Sequence, residues 1–147
     1  MLKVESKTGK ISDSDEHIYN FLADFSNFNS LVSQDRMKNW KATADTCSFT
    51  LDGLGDIGMK IIEREPYKLI EVAGDETSKF SYFFWIQLKK MDEMDTSVKL
   101  TIHADINPLV QMMAKKPLQK FLDLLIEQLE NHFGPQASKN KQAGKIL

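Results

Sequence analysis

The feature that most constrains this chain is its last long apolar stripe. In NPLVQMMAKKPLQKFLDLLIEQLENHF, residues 107 to 133, Leu118, Phe121, Leu122, Leu125 and Leu129 recur at helical spacing. Such a stripe must be buried against another layer. The residues before it, 38 to 106, offer no comparable helix. They offer short segments of period two, so one strongly curved antiparallel sheet has to cover the helix. The fold class that follows is α+β, with helices segregated onto one face of the sheet. Asn107 is placed to cap the helix and Pro108 to open its first turn. Pro117 predicts a kink or a brief break. Gly134-Pro135 ends the helix, and residues 134 to 147 read as a polar, mobile tail.

The rest of the chain supplies the sheet. Residues 3 to 11 (KVESKTGKI) read as a first strand. The acidic cluster SDSDE then opens a helix, with Ser12 and Asp15 or Asp13 and Glu16 as capping pairs. Ile18, Phe21, Leu22 and Phe25 keep helical spacing, and a bend leads into a second short helix through Phe28, Leu31 and Val32. Strands follow at 38 to 45, 46 to 51, 56 to 65 and 67 to 74, with Asp52-Gly53 as a hairpin turn. KFSYFFWIQLKK, residues 79 to 90, is the next. Phe80, Tyr82, Phe84, Ile86 and Leu88 share one face, but Phe83 and Trp85 stand on the other. The last strand, TSVKLTIHADI at 96 to 106, turns Val98, Leu100, Ile102, Ala104 and Ile106 inward. Short connections make an antiparallel meander of seven strands.

Composition narrows the function classes. The chain has 147 residues and a net charge of -2, with a pI near 5.9. One domain is expected, 1 to 133, followed by the tail. That charge gives no electrostatic basis for nucleic acid or an anionic membrane surface. No apolar run is long enough for membrane insertion. The single cysteine, Cys47, excludes an internal disulfide and speaks against a thiolate zinc site. MLKVESKTGK lacks the apolar core of a secretory leader, so the cytoplasm is the expected compartment.

Three stretches resemble the START-like helix-grip superfamily, also called SRPBCC, which includes polyketide cyclase/dehydrase proteins. They are the strand and capped helix in KISDSDEHIYNFLADF, the link ADFSNFNSLV at 23 to 32, and the terminal helix. The resemblance covers roughly residues 2 to 133. It implies a seven-stranded curved antiparallel sheet with two short helices, wrapped around a long C-terminal helix. It also implies a cavity between sheet and helix that holds lipids or other apolar small molecules, and some members are enzymes.

The residues expected to line that cavity are Met59, Ile61, Phe84, Ile86, Leu100 and Ile102 from strands, and Met112, Met113, Leu118 and Phe121 from the helix. Packing as a solid core is the alternative for the same side chains. Phe83 and Trp85, outside, form a candidate interface that a second copy of the chain or another partner would cover, with local cover by neighbouring Lys and Thr side chains as the alternative; the alternative register puts Trp85 inside and Tyr82 outside. His103 and Asp105 are neighbours on one strand face, a geometry shared by surface pairs and by a general base with its orienter. Glu63 follows Ile57, Met59 and Ile61 at period two and is either a polar group at the cavity rim or a strand end in water. The glycines of DGLGDIG lack a following helix and a Lys-Ser/Thr pair, so they make a turn rather than a phosphate site. No cofactor is expected. The leading reading is binding of a hydrophobic small molecule or lipid without catalysis. A cyclase/dehydrase-type enzyme and an interaction module with a solid core are the rivals.

Overall fold

A computed structural model describes residues 1–32 and 37–133. Among these residues eight strands form one antiparallel sheet: β1 (Leu2–Glu5), β2 (Gly9–Ile11), β3 (Met37–Ala42), β4 (Thr46–Leu51), β5 (Gly55–Glu65), β6 (Leu69–Gly74), β7 (Ser81–Asp92) and β8 (Asp95–Asp105). The order across the sheet is β1-β8-β7-β6-β5-β4-β3, with β2 also on β8. Helix α1 (Asp15–Leu22), a 3-10 helix (Phe25–Ser30) and helix α2 (Pro108–Phe133) complete the fold. The meander and the α+β class are as the sequence implies. The expected tail, 134 to 147, and the Gly134-Pro135 stop lie outside the described residues.

The eighth strand arises because the first one breaks. At Ser6 the side chain enters the ladder: its Oγ accepts from the Leu100 N–H at 2.9 Å and donates to the Lys7 carbonyl at 2.7 Å. The chain resumes pairing with β8 at Gly9. A Cβ on Gly9 would lie 3.0 Å from Ile126, so glycine lets this edge come close to α2.

The caps differ in part from expectation. Ser14, not Ser12 or Asp13, caps α1, its Oγ accepting from the His17 N–H at 3.1 Å. Asp24 caps the 3-10 helix. Asn107 caps α2 through the Val110 N–H at 3.0 Å, and Pro108 is its first residue. Pro117 does not interrupt α2, which runs as one helix of 26 residues.

Helix α2 buries Ala114, Leu118, Phe121, Leu122, Leu125, Ile126, Leu129 and Phe133 against the concave face. Its polar flank closes the sheet edge. Gln119 Nε2 donates to the Glu5 carbonyl at 2.7 Å, Asp123 accepts from the Lys7 N–H at 2.9 Å, and Glu130 accepts from the Lys10 N–H at 3.3 Å. These three side chains occupy backbone groups that an edge strand would otherwise offer to another chain.

In β7 the register is settled by burial. Tyr82, Phe84, Ile86 and Leu88 are buried, whereas Phe83 is 44% exposed and Trp85 half-buried. Trp85 therefore lies on the outer face and Tyr82 on the inner.

Candidate functional site

The interior between sheet and α2 is almost filled. Among the described residues it holds two small voids, each of about 10 Å³, near the least room that a single water needs. The first lies among Phe49, Ile57, Met59, Tyr82, Ile102 and Leu118. The second lies among Leu22, Phe28, Phe84, Ile86, Leu100 and Leu125. Outside them is an open groove of about 480 Å³, bounded by Met37, Leu51, Asp52, Lys116, Pro117, Lys120 and Leu124.

Phe121 connects these spaces. With Leu51 it borders both the groove and the first void. Its ring stacks on Phe49 with centroids 5.5 Å apart and reaches Phe84, a wall of the second void, at 6.5 Å. A ring on α2 thus separates outside from inside, and Pro117, one turn earlier, packs under the β4–β5 turn. A Cβ on Gly53, at φ 86°, would stand 3.2 Å from Pro117 Cγ.

The structure sorts the expected lining residues. Met59, Ile102, Leu118 and Phe121 meet at the first void, and Phe84, Ile86 and Leu100 at the second. Ile61 is only partly buried at the core margin. Met112 and Met113 are not in the interior at all: they are 81% and 71% exposed. The reason is angular. At 3.6 residues per turn they lie roughly 110° and 150° from the centre of the buried stripe, so no choice of rotamer turns them inward. Phe80 and Tyr82, read from sequence onto the same strand face as Phe84, also border the first void, and Phe49 and Leu51 border it without having been singled out from sequence. The signal for Phe49 and Leu51 was their alternation with Cys47, whose strand pairs with Met59 and Ile57.

Glu63 is not at the cavity rim. A bulge between Ile61 and Glu63 inserts Ile62, so Ile61 pairs with buried Val72 but Glu63 with Glu71 on the outer face. One extra residue reverses the side-chain parity of the rest of the strand. His103 and Asp105 also face outward, and the His103 ring meets Trp85 edge-on at 4.7 Å. That arrangement is a surface cluster away from the interior. His17 pairs instead with Asp13 at 2.7 Å.

Among the described residues three titratable side chains belong to the buried core, Tyr19, Cys47 and Tyr82, and the last two sit at the β4–β5 corner. The Tyr82 hydroxyl donates to the Gly58 carbonyl at 2.6 Å. Burial raises its pKa well above the ordinary value of 10.0. Burial, with Asp75 adding to it, pushes the Cys47 thiol up to about 12. Both stay neutral near pH 7, which suits packing rather than acid–base work. Two glycines make this corner possible. A Cβ on Gly58 would collide with Asp75 at 1.8 Å, and one on Gly74 with the Tyr82 ring at 2.5 Å. Among the described residues no buried side-chain nitrogen or oxygen lacks a partner, and no group of three or more His, Cys, Asp or Glu is placed to hold a metal. Nor is any helix among them long and apolar enough to cross a membrane.

No family model and no curated protein matches the sequence. Solved structures do match the fold. A START superfamily protein from Mycobacterium smegmatis aligns at 14% identity over 89% of this chain and 96% of that one, with a TM-score of 0.64. A norcoclaurine synthase point mutant from Thalictrum, solved with a transition-state analogue, aligns at 11% identity over 90% and 95%, TM-score 0.66. The Aha1 dimer from Colwellia psychrerythraea aligns at 14% identity over 92% and 98%, TM-score 0.62. Curved sheet, short paired helices and gripped C-terminal helix together show that this chain has the START-like, or SRPBCC, helix-grip fold.

Proposed function

We propose that the chain binds a hydrophobic small molecule or lipid between the sheet and α2, without catalysis. The observation that carries this reading is the position of Phe121, a single ring between an open groove and an apolar interior. Entry takes place from the groove. The Phe121 and Leu51 side chains move aside, and the voids beside them merge around the ligand. Burial of apolar ligand surface drives the process, at about 25 cal/mol per Å². Lys116, Lys120 and Asp52 at the groove supply the polar contacts that orient the ligand's head.

The size of the voids favours a second reading, a solid core whose outer surface is the working part. Comparison of native and denaturing mass spectra of the purified protein separates the two. A retained mass of a few hundred daltons, lost on denaturation, supports binding. If no mass is retained, titration with a dansylated fatty acid follows. Saturable fluorescence that Leu51→Trp abolishes, in a variant that still unfolds cooperatively, supports entry at the groove. Bare chains with no saturable response refute the binding reading.

A further inference from the structure

The outer face of the sheet is self-complementary, and we infer that it docks a second copy of this chain about a two-fold axis. The sheet register places the outward side chains in rows running across the strands. One row holds Lys60, Phe83 and Lys3, with Ala73 and His103 between them. The next row, two residues along, holds Glu63, Glu71, Trp85 and Glu5, with Thr101 beside Trp85. A basic row thus lies next to an acidic row. The aromatic pair Phe83–Trp85, stacked at 5.9 Å, bridges them near the middle of the sheet.

Consider a two-fold axis just outside the outer face, parallel to the sheet and to these rows and midway between them. The operation keeps each strand opposite its own copy but exchanges the rows. Lys60 then faces the second copy's Glu63, Lys3 its Glu5, and Phe83 its Trp85. The rows farther out obey the same rule, because Asp105 on one side of the axis comes opposite Lys99 on the other. An ion pair already on this face, Lys99–Glu5 at 3.0 Å, is half-exposed and joins the same network. Like charges do not meet across the axis. The result is an aromatic centre with a charged rim, the usual anatomy of a specific interface.

No other occupant explains this pattern as well. An acidic or a basic partner would be repelled by one of the two rows, and an apolar one would leave both unpaired. The helices give no cover here, since α1 and α2 pack against the concave residues Phe84, Ile86 and Leu100. Five strands at about 4.8 Å and four rows at about 6.8 Å make a footprint of at most roughly 650 Å² on each copy. That is a small interface, so the expected dimer is weak and reversible.

Sedimentation equilibrium of the full chain tests the inference. The expected result is a monomer–dimer equilibrium with Kd on the order of 10 µM. Lys60→Glu should weaken it about tenfold or more, because the like-charge contact occurs twice in the dimer. The double change Lys60→Glu, Glu63→Lys restores complementarity and should recover most of the affinity. Both sites are exposed, so circular dichroism of the variants should match the parent. A chain that stays monomeric to about 200 µM overturns the inference. So does a dimer that ignores Lys60→Glu, or one that the double change fails to rescue.

Discussion

Cys47 and Tyr82 show how one side chain's surroundings set its chemistry. Each is buried in the neutral form, and each has a raised pKa in the folded state. The thiol should therefore resist a water-soluble disulfide reagent at pH 8 and react at once in denaturant. Rapid reaction of the folded protein would show that the β4–β5 corner opens. The sign of the pH dependence follows from the same shift. In the unfolded chain the thiol loses its proton near its ordinary value of 9.0, while the folded chain holds it to about 12. Between those values the folded state binds more protons, so stability falls as pH rises from about 9. The slope is at most about 1.4 kcal/mol per pH unit for this group, and Tyr82 adds to it above pH 10. Urea titrations at pH 7, 9 and 10.5 would measure it. Gly74 belongs to the same corner. Gly74→Ala drives a Cβ into the Tyr82 ring and should cost about 1–3 kcal/mol, read as a lower urea midpoint.

Elements differ in how much of themselves they bury. Helix α2 carries two kinds of apolar residue, the inward stripe and the outward Leu109, Met112 and Met113. Leu125→Ala should cost about 2–5 kcal/mol, because it opens a cavity beside the second void. Met112→Ser with Met113→Ser should change stability by less than about 0.5 kcal/mol per site. Equal losses for both would contradict the placement of the helix. Much of this was legible in the sequence. The stripe from Leu118 onward, the Asn107 cap and the alternation in β7 and β8 are local signals with local causes. The assignment of Met112 and Met113 to the interior followed from residue type, whereas their angle around the helix already pointed away. Glu63 is different, since the bulge at Ile62 depends on how β5 meets β6 and leaves no mark in the run of residues.

At the scale of the molecule the fold closes end to end. Its first strands pair with its last strand, and α2 secures both through Gln119, Asp123 and Glu130. Removing residues 1 to 11 would expose one edge of β8 and one flank of α2 together. The truncated chain should lose cooperative thermal unfolding, followed by circular dichroism; a sharp transition near that of the full chain would mean that the sheet stands without its closing strands. Whether the groove beside Phe121 admits a ligand and whether the outer face pairs with a second copy are properties of this same closed sheet. One uses its concave side and the other its convex side.

By itself the sequence determined the order of elements, the period of each, and the inward face of most of them. Those follow from interactions between residues a few positions apart, which a chain carries wherever it goes. The tertiary structure decided the rest. It turned Glu63 outward through a bulge, set Trp85 rather than Tyr82 on the outer face, and brought Phe49, Phe84 and Phe121 together from three distant segments. It also laid an acidic row beside a basic one across five strands. Each of these depends on which strand pairs with which and in what register, and that choice is made only when the whole sheet closes over the helix.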